Sequence, residues 1–360
     1  MDNDSKISSI GICFLYSFLY RSFYILGLLN IIISLSKNDS IFSIIISGIL
    51  GISLLYGYFY LNNNLPNKNV FDKITSTFPK VISDILISII VVLLVFISSY
   101  TLYNLSIFIN YNLLNDINII PISTLLIITV IYLVSKGINT ITRVSGILIF
   151  IVIFLILISF IAVIKYSNPN NLYPLLTNNF SNIYESSLYS FILSNMPICL
   201  LLIIPKEKIE NNKRYHKYMS ITYIINSLYI LFNFVLIISI LGSKFASILN
   251  YPDIMILQKV SLLNFFERIE DLLSFKFMFD GFLFLAVAIY YIKEGMVYLF
   301  KIKPNNILNI SLGIIVLIVS FYLNNISIKI IFYLSSIIIL IHILLAIFIK
   351  KESKNKTNSL

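Results

Sequence analysis

An arginine and an aspartate stand inside long apolar stretches of this sequence, where a charge could bind a ligand or an opposite charge. Arg21 lies near the middle of a run from Ile7 to Lys37, too far from either end to snorkel into water, and Asp280 lies well inside another run. A guanidinium can donate two parallel hydrogen bonds to a carboxylate, a geometry that lysine cannot reproduce. Arg21 therefore either binds the carboxylate of a ligand or forms a structural pair with Asp280.

Two apolar stretches carry polar residues near their middle, where they would interrupt a membrane helix. In the second of them Pro197 follows the polar residues, and proline lacks the backbone donor that a helix requires. Backbone N–H and C=O groups freed at such a break can bind an ion or a zwitterion. The residues at the two interruptions are therefore candidates for a substrate site: Tyr20, Arg21, Ser22, Ser194, Asn195 and Met196.

Tyr103 and Asp280 could line the same site from two other apolar stretches. Each has a structural alternative, since polar side chains also stabilise contacts between membrane helices, and Asp280 could pair with Lys276 one helical turn away. No serine–histidine pair, phosphate-binding loop or metal-ligand cluster occurs in the sequence. We therefore expect neither an enzyme nor a site for a metal or another cofactor.

Composition decides which elements must position these residues. Of the 360 residues, 58% are hydrophobic and 12% charged, and the mean hydropathy is +0.93. A water-soluble domain with these values would expose large apolar patches, so the chain is expected to be an integral membrane protein. The net charge of +10 does not indicate nucleic-acid binding, because the basic residues lie in short loops between apolar stretches.

The apolar stretches have the length of membrane-spanning helices and leave no room for a soluble domain. We therefore expect residues 1–360 to form one membrane domain that contacts lipid. Lys and Arg are concentrated in alternate loops, which predicts that both termini are cytoplasmic and that the number of spans is even. The ten predicted spans are at about 7–35, 41–62, 81–110, 118–135, 144–164, 185–205, 217–241, 272–292, 305–323 and 327–349.

The two interrupted stretches are the first and the sixth of these ten spans. They occupy equivalent positions in two halves of five helices, and an odd number of crossings per half forces the second half to be inverted. The sequence therefore predicts an all-α membrane protein with a LeuT-like 5+5 inverted repeat, in which helices 1 and 6 are discontinuous.

One segment between spans seven and eight differs from the other loops. Residues 261–273, SLLNFFERIEDLL, alternate large apolar and charged side chains in a pattern typical of an amphipathic interfacial helix. Its charged residues Glu267, Arg268 and Glu270 are candidates for docking a partner or bracing an outer gate. The alternative is a solvated cap without a partner.

FFERIED at 265–271 resembles the signature of spore germination permeases, the B subunits of nutrient germinant receptors. GINTITR at 137–143, NLYPLL at 171–176 and SKISSIGICFLYSFL at 5–19 resemble further stretches of that family. The resemblance implies a ten-helix member of the amino acid–polyamine–organocation superfamily. The chain departs from the family pattern in having Tyr20-Arg21-Ser22 in place of a glycine-rich break and Phe277 in place of a tryptophan.

The resemblance also implies a location and partners. It implies a place in the spore inner membrane with A-type and C-type (lipoprotein) receptor subunits, and a small-molecule nutrient, in the first instance an amino acid, as ligand. Two functions follow. The chain is either a subunit that recognises a germinant and signals through its partners, or a stand-alone secondary amino-acid transporter that works by alternating access. Both functions would use the same site.

Overall fold

The computed structural model describes residues 6–114, 117–258, 269–323 and 326–349, and most of them are helical. Helices are the expected solution, because a lipid-embedded segment must satisfy its backbone hydrogen bonds internally. The helices, in chain order, are α1 Ser9–Phe23, α2 Leu29–Ser36, α3 Ser40–Asn63, α4 Val70–Thr77, α5 Lys80–Ile109, α6 Ile119–Ser135, α7 Ile138–Ile164, α8 Phe180–Leu200, α9 Asn212–Leu241, α10 Ser243–Ala246, α11 Pro252–Gln258, α12 Ile269–Phe300, α13 Asn306–Tyr322 and α14 Ile328–Phe348.

Membrane-spanning character follows from the length and composition of these helices. Within the described residues, seven helical segments are long and apolar enough to cross a membrane, and α6 and α13 are shorter apolar helices. The chain is therefore a multi-pass integral membrane protein. Because the first predicted span is split and two helices are short, the total of ten spans stays a prediction.

The first helix is broken, but not where the polar residues stand. Tyr20, Arg21 and Ser22 lie in regular α-helix, and the backbone leaves helical geometry at Leu26 and Gly27, inside a π turn that joins α1 to α2. Gly27 has φ +105°, a conformation that glycine adopts without the steric conflict of a Cβ atom. The predicted position of the break was wrong because polar side chains do not unwind a helix when other side chains pair with them.

The interruption predicted at residues 194–197 is also not a break. α8 continues through Pro197 to Leu200 and then tightens into a 3₁₀ turn, Leu201–Ile203. Pro197 cannot donate a backbone hydrogen bond to the preceding turn, yet that turn stays helical, and the helix ends three residues after the proline. Within the same helix the Asn195 side chain donates a 2.8 Å hydrogen bond to the carbonyl of Phe191.

Both ends of the described chain lie at one face of the molecule. Ile7 forms a backbone bridge with Ile209, and Glu207 in the same loop donates its backbone N–H to Pro66. Near this face the ring of Phe348, at the end of α14, packs on Phe78. This arrangement agrees with an even number of crossings. Of the seven long apolar segments, those containing α8 and α12 are the most buried, and both helices contact α1.

Candidate ligand site

A buried ion pair joins the first helix to α12. Arg21 donates from Nη2 to Asp280 Oδ1 at 2.8 Å and from Nε to the same oxygen at 3.2 Å, while Nε lies 3.4 Å from Oδ2. Asp280 is fully buried and Arg21 is 5% exposed. A charge held at this depth in a membrane protein needs a partner, and each residue supplies the partner of the other.

The guanidinium has one edge that Asp280 does not use. Nη1 on that edge lies 3.4 Å from Asn226 Oδ1 on α9, a long hydrogen bond. Asn226 is held in place because its Nδ2 donates to Ser17 and to the carbonyl of Thr222. The ring of Phe18 lies 5.3 Å from the guanidinium carbon and covers one of its faces. Arg21 is thus oriented by three helices and keeps one edge with weak hydrogen bonding.

The helix break lies just beyond this pair in the chain. Its free carbonyl, that of Leu26, accepts a 2.9 Å hydrogen bond from the hydroxyl of Tyr100 on α5. On the far side of the break, Asn30 of α2 donates to the carbonyl of Leu249 at 2.6 Å. The Tyr100 hydroxyl therefore supplies a donor to one carbonyl of the π turn, and Asn30 ties the segment after the break to Leu249.

Hydroxyl groups connect the first helix to α3, α8 and α9. The Tyr24 hydroxyl bonds Ser194 at 3.0 Å and Ser190 at 3.1 Å, and Ser190 donates to Ser47 on α3 at 2.7 Å. The Tyr20 hydroxyl lies 3.1 Å from the Ser227 hydroxyl on α9. Since a hydroxyl both donates and accepts, all the hydrogen bonds in such a series can reverse their direction of donation while the oxygen atoms stay in place.

Asn195 brings an acceptor without a partner into the same region. Its Nδ2 bonds the helix backbone, while its buried Oδ1 has no hydrogen-bond partner among the described residues. A Cβ atom built on Gly51 of α3 would lie 2.7 Å from that oxygen, so the small residue permits the close approach of α3 and α8. Tyr223 shares this contact and donates to the carbonyl of Gly48 at 2.6 Å.

The structure thus brings together most of the residues expected from the sequence, though not all of them. Tyr20, Arg21, Ser194, Asn195 and Asp280 lie on helices that meet around the first helix. Ser22 is buried and donates only to the carbonyl of Leu19, and Met196 is buried in α8. Tyr103 is half-buried on α5 and shares no hydrogen bond with this cluster among the described contacts.

The other pairing considered for Asp280 is not formed. Within the described residues, Lys276 makes no ion pair with Asp280; its Nζ lies 3.7 Å from the centre of the Phe277 ring, and it faces Asp253 of α11. Burial raises the pKa of Asp253 to about 6, and the charge of Lys276 opposes this shift.

Of the interfacial candidates, Glu267 and Arg268 lie outside the described residues, and Glu270 stands in the first turn of α12.

Asn226 and Tyr24 belong to the candidate site but were not expected from the sequence. Each bonds a group at the pair or near the break, and each is a polar residue inside an apolar run. Their polarity was the available signal. No group of three or more His, Cys, Asp or Glu residues is placed to hold a metal ion in the part of the chain that the structure describes.

Three comparisons relate this chain to known proteins. Residues 6–328 match the family described as "Spore germination protein". Spore germination protein KB of Bacillus subtilis (strain 168) is 24% identical over 208 residues, which are 57% of this chain and 56% of that relative. The crystal structure of MhsT in complex with L-phenylalanine aligns with a TM-score of 0.64 and 12% identity, covering 96% of this chain and 89% of that one.

These comparisons bear on the fold. The likeness to MhsT, a transporter of the LeuT fold, confirms the predicted LeuT-like architecture. The match to the curated relative spans little more than half the length of that protein.

Proposed function

This chain belongs to the spore germination protein family, and from that membership we propose that it is the permease-like subunit of a receptor that recognises a nutrient germinant. The proposed ligand is a small molecule, in the first instance an amino acid. The proposed site lies between α1, α8, α9 and α12, at the buried pair of Arg21 and Asp280.

The single observation that carries this proposal is the position of the ion pair in the LeuT fold. The pair is fully enclosed by protein and lies within two helical turns of the break at Gly27. Charged groups are rare inside membrane segments, and in transporter folds the site lies at the midplane beside discontinuous helices. A structural pair alone could stand anywhere along the helices, whereas a ligand site has to stand near the break.

Ligand recognition and pairing with Asp280 are compatible in this geometry. Asp280 occupies the edge of the guanidinium that Nε and Nη2 form, while a ligand carboxylate could approach the edge formed by Nη1 and Nη2. That approach would replace the long bond to Asn226. The unpartnered Oδ1 of Asn195 is a further acceptor that a ligand N–H group could use.

A binding measurement on the purified chain tests the proposal. Common amino acids would be screened for a rise in the unfolding temperature, and any that bind would be tested again with Arg21→Lys and Tyr103→Phe. Arg21→Lys keeps the charge but cannot fork onto a carboxylate, so we expect at least about tenfold weaker binding. Tyr103→Phe, outside the cluster, should bind normally. Equal affinity for both variants would remove Arg21 from the site.

The partners and the location are also part of the proposal. We assign the chain to the spore inner membrane, with both termini on the cytoplasmic (core) side and with A-type and C-type lipoprotein subunits as partners.

The proposed docking or gating residues are Glu267, Arg268 and Glu270. Arg268→Glu should impair germination or complex assembly more than Lys244→Glu, an equal change at an exposed residue of α10. Near-normal behaviour of both would leave the segment without this role.

A stand-alone amino-acid transporter is the second candidate function. It is favoured by the likeness to MhsT, which extends over 96% of this chain and 89% of that one. Saturable uptake of an amino acid by this chain alone in proteoliposomes would support it. Ligand binding without uptake, together with co-purification of the other subunits, would support the receptor instead.

A further inference from the structure

A cavity lies between α3, α14 and the end of α8, and neither Arg21 nor Asp280 lines it. Its volume is about 300 Å³, and Gly57, Tyr58, Cys199, Leu202 and His342 are among the residues that line it. It adjoins the point where α8 changes into its 3₁₀ turn. None of the residues that line it has a role in the function proposed above.

His342 presents an acceptor with no partner to this cavity. The residue is 4% exposed, and its Nδ1 lies 2.8 Å from the carbonyl of Ile338. A carbonyl can only accept, so Nδ1 carries the proton, and in the neutral imidazole Nε2 is then a lone-pair acceptor. Nε2 is buried without a hydrogen-bond partner among the described residues. A buried acceptor left unpaired is destabilising, which makes it a point of attachment for a donor group.

The lining restricts which donor can enter. No charged residue lines the cavity, so an ion would be desolvated there without compensation. The hydroxyl of Tyr58 already shares a 2.6 Å hydrogen bond with the hydroxyl of Tyr215, whereas His342 Nε2 has no partner among the described residues. The α14 side of the cavity leads to Ile343 and Ile347, which are 40% and 68% exposed on the lipid-facing surface. A ligand would therefore arrive from the bilayer and bring one hydrogen-bond donor on an apolar body.

We propose that this cavity binds a single-chain lipophilic alcohol, whose hydroxyl donates to His342 Nε2 and whose chain lies between α3 and α14. The bound alcohol packs against Leu202 in the turn that ends α8. It therefore occupies a site distinct from the nutrient site, and its binding does not depend on Arg21.

Photolabelling tests this assignment. The purified full chain in phosphatidylcholine nanodiscs, whose lipid has no hydroxyl donor, would be exposed to a long-chain alcohol that carries a diazirine. The labelled peptides would be mapped by mass spectrometry. We expect labelling in α3 and α14 around Gly57 and His342, and we expect excess unlabelled alcohol to compete. The methyl ether of the same probe lacks the donor and should label about fivefold less, the effect of one hydrogen bond.

Two variants separate the contributions of shape and of the acceptor. Gly57→Leu fills the cavity without a clash, since a Cβ atom there meets nothing within 4 Å, and it should abolish labelling. Gly146→Leu on α7 has the same open surroundings and is the matched control that should label normally. His342→Phe should make alcohol and ether label equally. Labelling that is unchanged in Gly57→Leu, or equal for alcohol and ether in the native chain, would overturn the proposal.

Discussion

Removing one member of the buried ion pair should destabilise the protein far more than removing both. In Arg21→Gln the carboxylate of Asp280 would remain fully buried without a cation, and in Asp280→Asn the guanidinium would lose its anion. Breaking a buried pair in this way costs about 3–5 kcal/mol of unfolding free energy. In the double variant two neutral amides can hydrogen-bond each other. The coupling energy between the two sites should therefore be about 3 kcal/mol.

The assay is unfolding of the purified variants in detergent, followed by far-ultraviolet circular dichroism, together with their abundance in the membrane. Glu294→Gln is the matched control, because it breaks the Lys293–Glu294 pair, whose N–O distance is 3.8 Å and whose side chains are 11% and 27% exposed. This pair is longer and more exposed than the Arg21–Asp280 pair, so breaking it should cost less, about 1 kcal/mol. The reasoning fails if either single variant is as stable as this control, or if the double variant loses the sum of the single losses.

Three further predictions concern the backbone and one titrating group. Gly27→Ala should lower the unfolding free energy by about 1–3 kcal/mol, because alanine is strained at φ +105° although its methyl group has room. A denaturant titration measures this loss, and an unchanged midpoint would contradict the prediction. Pro197→Ala should leave ligand binding unchanged and add about 1 kcal/mol by giving α8 one more backbone donor, whereas lost binding would mean that the proline forms a functional break. The pKa of Asp253 is about 6 in the folded chain and 3.8 in the unfolded one, so between these pH values the folded state holds a proton that the unfolded state has released. The unfolding free energy should therefore rise by about 3 kcal/mol as the pH falls from about 6 to about 4. The same pH series on Asp253→Asn should lack that rise.

The class of protein and its architecture were determined by the sequence alone. Apolar runs of membrane-spanning length dictate helices because lipid offers the backbone no hydrogen bonds. Charged residues inside these runs mark a candidate site because a charge at that depth is tolerated only with a partner. Arg21 and Asp280 could be named on this ground. The LeuT-like fold was predicted from the places of two interrupted spans in the order of the helices, and it is confirmed although neither break stands at the predicted residues.

The position of the helix break and the partners within the site were decided only by the tertiary structure. The polar cluster at Tyr20–Ser22 indicated a break, but Tyr20 and Arg21 bond side chains of other helices, and the backbone instead leaves the helix at Leu26 and Gly27. Arg21 and Asp280 are 259 positions apart, and Asn226 reaches the same guanidinium from a third helix. Periodicity along one helix gives the face on which a side chain stands. Which side chain it meets depends on how separate helices pack, and that information lies in no local stretch of sequence.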